Sequence, residues 1–143
     1  MSLKVEIIGG GQHTDSRGTL HFVNDFDMSP VRRMYMIYHP DTAVVRAWRA
    51  HKIEQRWFYV LEGSFEFKAV KIDNWESPDP DLEVEQYTLL AEQSQILHLP
   101  VGYASGFRAL VPGSKVMVYA DGHISDAAND DYQYPVAYFN GWK

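Results

Sequence analysis

Glycine and proline recur along this chain at the spacing of short strands. Asp15-Ser16-Arg17-Gly18, Ser77-Pro78-Asp79-Pro80-Asp81, Pro100-Val101-Gly102 and Val111-Pro112-Gly113-Ser114 each interrupt an apolar run. No long stretch carries the 3.6-residue apolar period of a helix. Between the interruptions, residues 31–37, 57–61, 65–72, 82–90, 95–99, 107–110 and 115–120 read as strands. Glu62-Gly63-Ser64 reads as a hairpin turn joining 57–61 to 65–72. Many short strands with Gly/Pro turns predict an all-β antiparallel sandwich or barrel. No linker, repeat or composition break divides residues 1–143, a length that suits one domain with a core of its own. The acidic, proline-bearing stretch 73–81 reads as a solvated excursion. The tail over 132–139, rich in Tyr and Phe, is too apolar for solvent and is expected to pack on the barrel or on a partner subunit.

Charge and composition narrow the function classes. A net charge of −6 argues against nucleic acid as the main partner, because phosphate backbones need clustered excess Lys and Arg. One phosphorylated small molecule needs only two or three local cations and stays open. The absence of cysteine rules out disulfides and thiolate sites, and fits a cytoplasmic protein. No apolar run approaches the length of a membrane span. The aromatic share of 14%, with nine Tyr and four Trp, suits β-sheets and also sugar- or base-binding pockets.

The most chemically loaded stretch is VRAWRAHKIEQRWFYVLEGS, residues 45–64. Read as one extended segment, its odd positions share a face: Val45, Ala47, Arg49, His51, Ile53, Gln55, Trp57, Tyr59 and Leu61. Arg49, His51 and Gln55 then sit together among apolar walls, either as a wet strand end or as the floor of a binding cavity. Arg46, Trp48, Lys52, Glu54 and Arg56 fall on the opposite face, which reads as a solvent or subunit face. A bulge would break this parity. Of the remaining histidines, His13, His21, His39, His98 and His123 form no cluster in sequence.

The order and spacing of several motifs carry a resemblance. Asp15-Ser16-Arg17-Gly18-Thr19-Leu20, Arg33-Met34-Tyr35-Met36-Ile37, Arg46-Ala47-Trp48-Arg49-Ala50-His51-Lys52 and Glu62-Gly63-Ser64 occur in that order. They resemble the cupin-fold sugar-nucleotide enzymes, nearest the WxcM-like dTDP-4-keto-6-deoxyglucose 3,4-ketoisomerases. Leu99-Pro100-Val101-Gly102-Tyr103-Ala104-Ser105-Gly106-Phe107 is similar to a motif of the more distant dTDP-4-dehydrorhamnose 3,5-epimerases. The resemblance spans roughly residues 5–134 and implies a cupin, a double-stranded β-helix or jelly-roll barrel. Two family histidine positions are occupied by Arg49 and Ser105 here, while His51 remains. The slots that hold a metal in other cupins are Arg49, His51, Gln55 or Arg56, and Ser105, a poor donor set. No cofactor is therefore expected.

The resemblance implies proton abstraction next to the C4 ketone of a nucleotide-linked 4-keto-6-deoxyhexose and reprotonation through an enediolate. His51 is then the base, and Arg49 both keeps it neutral and faces the oxyanion. Tyr119 is the acid by likeness to a late-strand tyrosine of the epimerases. Arg17 and Arg46, with Arg33 and Arg108, are candidates for the pyrophosphate. Trp48, Trp57 or Tyr103 are candidates for the nucleobase, with Gln55 also in the pocket. Two alternatives remain: a catalytically degenerate cupin that binds a nucleotide sugar or other anion without turnover, and a different small-molecule cupin. A homodimer is expected, because edge strands need cover and related cupins pair through their N-terminal strands.

Overall fold

The computed structural model describes residues 4–142. The strands run in chain order as β1 (Glu6–Gly9), β2 (Gly11–Asp15), β3 (Gly18–Phe22), β4 (Arg33–His39), β5 (Val45–Ala50) and β6 (Arg56–Glu62). They continue as β7 (Ser64–Lys71), β8 (Glu85–Leu90), β9 (Gln95–Leu99), β10 (Tyr103–Ala109), β11 (Ser114–Ala120) and β12 (Tyr132–Gln133). The described helical segments are two 3₁₀ stretches, Ala91–Gln93 and Ile124–Asp130. Among the described residues no helix is long and apolar enough to cross a membrane.

Two five-stranded antiparallel sheets face each other, in the orders β1-β9-β6-β11-β4 and β12-β5-β10-β7-β8, while β2 and β3 form a separate hairpin. Burial along β11 shows why. Ser114, Val116, Val118 and Ala120 are fully covered, and Lys115, Met117 and Tyr119 between them are half-buried, the period of two that a sheet with one core face imposes. The core between the sheets holds Phe58 and Val60 of β6, Phe65 and Phe67 of β7, Leu97 and Leu99 of β9, Phe107 of β10 and Val116 and Val118 of β11. Its phenylalanine rings meet at 5.1 Å (Phe58–Phe67) and 5.5 Å (Phe67–Phe107). Burying each such ring contributes on the order of 2–3 kcal/mol.

The expected hairpin over 57–72 is not one. β6 belongs to the first sheet and β7 to the second, so Glu62-Gly63-Ser64 carries the chain across the sandwich. Gly63 has φ of +71°, and a Cβ there would lie 2.1 Å from the Ser114 hydroxyl. The turn chemistry was legible, but pairing is decided by which sheet each strand's apolar face must cover.

A second cluster coats the outer face of the second sheet. Trp48, Ala50, Val70, Ile72, Ala104, Phe139 and Trp142 are its buried members. The tail thus packs on the barrel as its composition demanded. The stretch 73–81 is largely exposed, yet the Tyr134 hydroxyl donates to the Trp75 carbonyl at 3.0 Å and the Tyr138 hydroxyl to that of Pro78 at 2.5 Å.

Candidate active site

A cavity of about 790 Å³ opens between the sheets. β4 supplies Arg33, Tyr35 and Ile37; β5 supplies Arg46 and Arg49; β6 supplies Arg56 and Phe58. Ser105 and Phe107 of β10 and Val118 of β11 close the far side, His51 stands at the β5–β6 turn, and Ile124, Ala127 and Ala128 of the second 3₁₀ stretch form a wall.

The parity expected for 45–61 fails at two places. β5 pairs with β10 as Ser105↔Arg49 and Phe107↔Arg46, so Ala47 and Trp48 together oppose Gly106 alone. This bulge puts Arg46 and Arg49, three apart, on the same face. It also requires Gly106, since a Cβ there would sit 2.4 Å from the Ala47 Cβ. The turn at 51–55 then resets the phase, so the cavity face of β6 carries Arg56 and Phe58 rather than Trp57 and Tyr59.

His51 is buried, and its Nδ1 donates to the Asp130 carbonyl at 2.5 Å. Its Nε2 is buried and, among the described residues, has no hydrogen-bond partner. Burial, then the Arg56 guanidinium, holds its pKa below the ordinary histidine value, against the opposing pull of the Asp130 hydrogen bond, Glu54 and the Asp130 charge. The charge expected from Arg49 is supplied by Arg56 instead. The Arg49 side chain is 54% exposed and pairs with Asp131 at 3.4 Å, so solvent screens it.

Arg56 is held by Glu54, whose Oε2 accepts from its Nε at 2.6 Å and whose Oε1 accepts from Arg33 Nη1 at 2.7 Å. Arg33 also donates to the Gly122 carbonyl at 2.8 Å. The triad is nearly dry, at 5% exposure for Glu54, 15% for Arg56 and 18% for Arg33. Arg56 lies over the Tyr35 ring at 6.0 Å. Burial raises the Tyr35 pKa, with Arg56 opposing, so its hydroxyl stays protonated at neutral pH. Arg46 donates through Nε to His39 Nε2 at 2.9 Å and, among the described residues, has no carboxylate partner.

The structure therefore gathers His51, Arg49, Arg46, Arg33 and the edge of Trp48 around one cavity and leaves the other expected residues outside it. The Trp48 indole is already used, its Nε1 donating to the Val136 carbonyl at 3.0 Å and its ring packed on Phe139. Tyr119 and Trp57 point to the outer face of the first sheet, each against Phe26, with Trp57 also stacked on His98 at 5.1 Å. Gln55 bonds Asp121 and His98. Tyr103 is buried in the inter-sheet core. Arg108 faces outward, between Glu66 at 3.5 Å and the Trp142 ring. Arg17 sits exposed at the β2–β3 turn, paired with Asp15 at 2.6 Å. The sequence reading put Arg46, Trp48, Glu54 and Arg56 on a solvent or subunit face, whereas Trp48 and Glu54 are buried and Arg46 and Arg56 line the cavity, because the bulge and the turn shift the phase; Tyr35 and Asp130 were passed over. For Tyr35 the signal was weak, because Met34, Met36 and Tyr38 make the other face of β4 equally apolar. Among the described residues no three His, Cys, Asp or Glu side chains converge as a metal site.

Two facing antiparallel sheets around such a cavity define a cupin fold. The WxcM-like, C-terminal family (FdtA) matches residues 3–140, and the chain belongs to it. A comparison with curated protein sequences finds no match. Among solved structures, the chain is similar to a double mutant of the QdtA 3,4-ketoisomerase from Thermoanaerobacterium thermosaccharolyticum in complex with TDP. That pair has TM-score 0.72 and 22% identity, covering 98% of this chain and 94% of that one. A histidine-to-asparagine mutant of the same ketoisomerase, in complex with TDP-4-keto-6-deoxyglucose, gives TM-score 0.71, 20% identity and coverage of 98% and 94%. The dTDP-4-dehydrorhamnose 3,5-epimerase of Bacillus anthracis with TDP and PPi bound gives TM-score 0.75, 19% identity and coverage of 92% and 79%. At these identities the likeness is one of fold.

Proposed function

We propose that this chain is a nucleotide-sugar isomerase or epimerase acting on a dTDP-4-keto-6-deoxyhexose with its own side chains as acid and base. The observation that carries the reading is the bare, buried Nε2 of His51 in a cavity shared with Arg56 and Tyr35. Family membership and the ligands named for structures of the same fold support the substrate class. Nε2 takes the proton from the carbon next to the C4 ketone, and the electron pair moves onto the ketone oxygen as an enediolate. Arg56, desolvated and fixed by Glu54, faces that developing charge. Tyr35, kept neutral, exchanges a proton with the sugar oxygens, and a proton returns to the adjacent carbon. Arg46 and Arg49 are the cations available to the pyrophosphate.

With TDP-4-keto-6-deoxyglucose in D₂O, the protein introduces solvent deuterium at carbon 4 of the isomerised 3-keto product, or at carbon 3 where the proton returns to the carbon it left. His51→Asn loses this exchange by about 10²–10⁴-fold, the usual contribution of a general base, while TDP still raises its melting temperature. Binding without exchange in the wild type would favour the degenerate cupin, and neither binding nor exchange would overturn the substrate class.

A two-fold homodimer is part of the same proposal. Met34, Met36 and Tyr38 lie exposed on β4, the edge of the first sheet, and Leu20 and Phe22 are exposed on the hairpin. A self-complementary apolar face of this kind suits an isologous contact. Sedimentation gives a dimer that Met36→Lys dissociates; a wild-type monomer at micromolar concentration contradicts it.

A further inference from the structure

Asp130 bonds four consecutive residues of the β5–β6 turn, 51–54. Its carboxylate accepts from the backbone amides of Lys52 at 2.7 Å, Ile53 at 3.1 Å and Glu54 at 2.9 Å. Its carbonyl accepts from His51 Nδ1 at 2.5 Å. Asp130 is 5% exposed and His51 6%. Three amide donors on one buried carboxylate make a charge-assisted anchor. That anchor fixes the turn against the end of the 3₁₀ stretch and places the Asp130 carbonyl over the imidazole.

We infer that Asp130 is a positioning residue that holds His51 in the Nδ1–H tautomer and aims its unprotonated Nε2 into the cavity. A carbonyl only accepts, so the ring nitrogen facing it carries the hydrogen, and in the neutral ring the other nitrogen is bare. Free imidazole side chains favour no such arrangement; the second hydrogen-bond partner sets the tautomer. The Gly102 amide donates to the His51 carbonyl at 2.9 Å, which pins the backbone from the other side. The contacts of Asp130 to the turn are made to residues 51–54 and not to the side chains of Arg46 or Arg49, so orientation and ligand affinity can be read separately. The catalytic consequence rests on His51 being the base; the tautomer does not.

The test is long-range ¹H–¹⁵N correlation on ring-labelled histidine in the full-length protein, assigned with His51→Asn. The wild type at neutral pH shows His51 protonated at Nδ1 and bare at Nε2. Asp130→Ala and Asp130→Asn, each checked for its β-sheet circular dichroism, shift His51 toward a tautomer mixture. Their turnover falls on the order of tenfold or more, within what a general base contributes, and TDP affinity is unchanged. A wild-type His51 protonated at Nε2 overturns the inference without any variant. Folded variants that keep the wild-type tautomer overturn the role of the carboxylate. Failure of the base reading looks different: the tautomer is as stated, yet His51→Asn retains exchange.

Discussion

Glu54 holds two guanidiniums on one carboxylate at 2.7 Å and 2.6 Å, with 5% of its side chain exposed. Two half-buried positive charges with one buried negative charge between them leave the triad an excess of +1, and Arg56 directs it at His51 and Tyr35. Removing one member of such a group strands the others in low dielectric. Glu54→Gln is expected to lower the unfolding free energy by about 3–5 kcal/mol, read from urea midpoints. A loss below about 1 kcal/mol would mean that water reaches the triad.

At the scale of elements, the bulge in β5 sets which arginines line the cavity. Arg46 and Arg49 converge because Ala47 and Trp48 share one place opposite Gly106. Gly106→Ala forces its new methyl into Ala47 at 2.4 Å and toward the Arg46 carbonyl at 3.0 Å. The expected cost is about 1–3 kcal/mol, as for other overpacked sites, with weakened TDP binding as the two arginines separate. Thermal melting and a TDP titration read both effects, and a variant with wild-type values for each would show that the strand pair absorbs the methyl.

For the molecule as a whole, three buried histidines set a pH dependence. Burial is the largest cause that lowers the pKa of His39, His51 and His98. Each is depressed in the fold relative to the unfolded value of about 6.5. Between the folded and unfolded values the unfolded chain binds more protons, so stability rises with pH in that window. Their contribution is complete above about pH 6.5 and is lost as pH falls below it. Urea midpoints measured from about pH 7.5 down to about pH 5.5 should decline. A flat profile would require these rings to be solvated in the folded state.

Local patterns in the chain were enough for the all-β class, the strands β4 and β6 to β11, the tail's need for burial and the family, because period-two burial, turn residues and motif order survive without coordinates; β1, β2, β3 and β12 were not read from them. That His51, Arg46, Arg33 and Arg49 line one cavity was foreshadowed for the same reason: each sits in a motif with fixed spacing. The tertiary structure alone decided that Glu62-Gly63-Ser64 crosses between sheets, that a bulge aligns Arg46 with Arg49, and that Arg56 and Tyr35 face His51 while Tyr119 and Trp57 face away. It alone brought Asp130 to the turn 78 residues before it. One inserted residue reverses every side chain that follows it in a strand, and pairing between distant segments depends on the packing of both sheets. Neither is written in any short stretch of the chain.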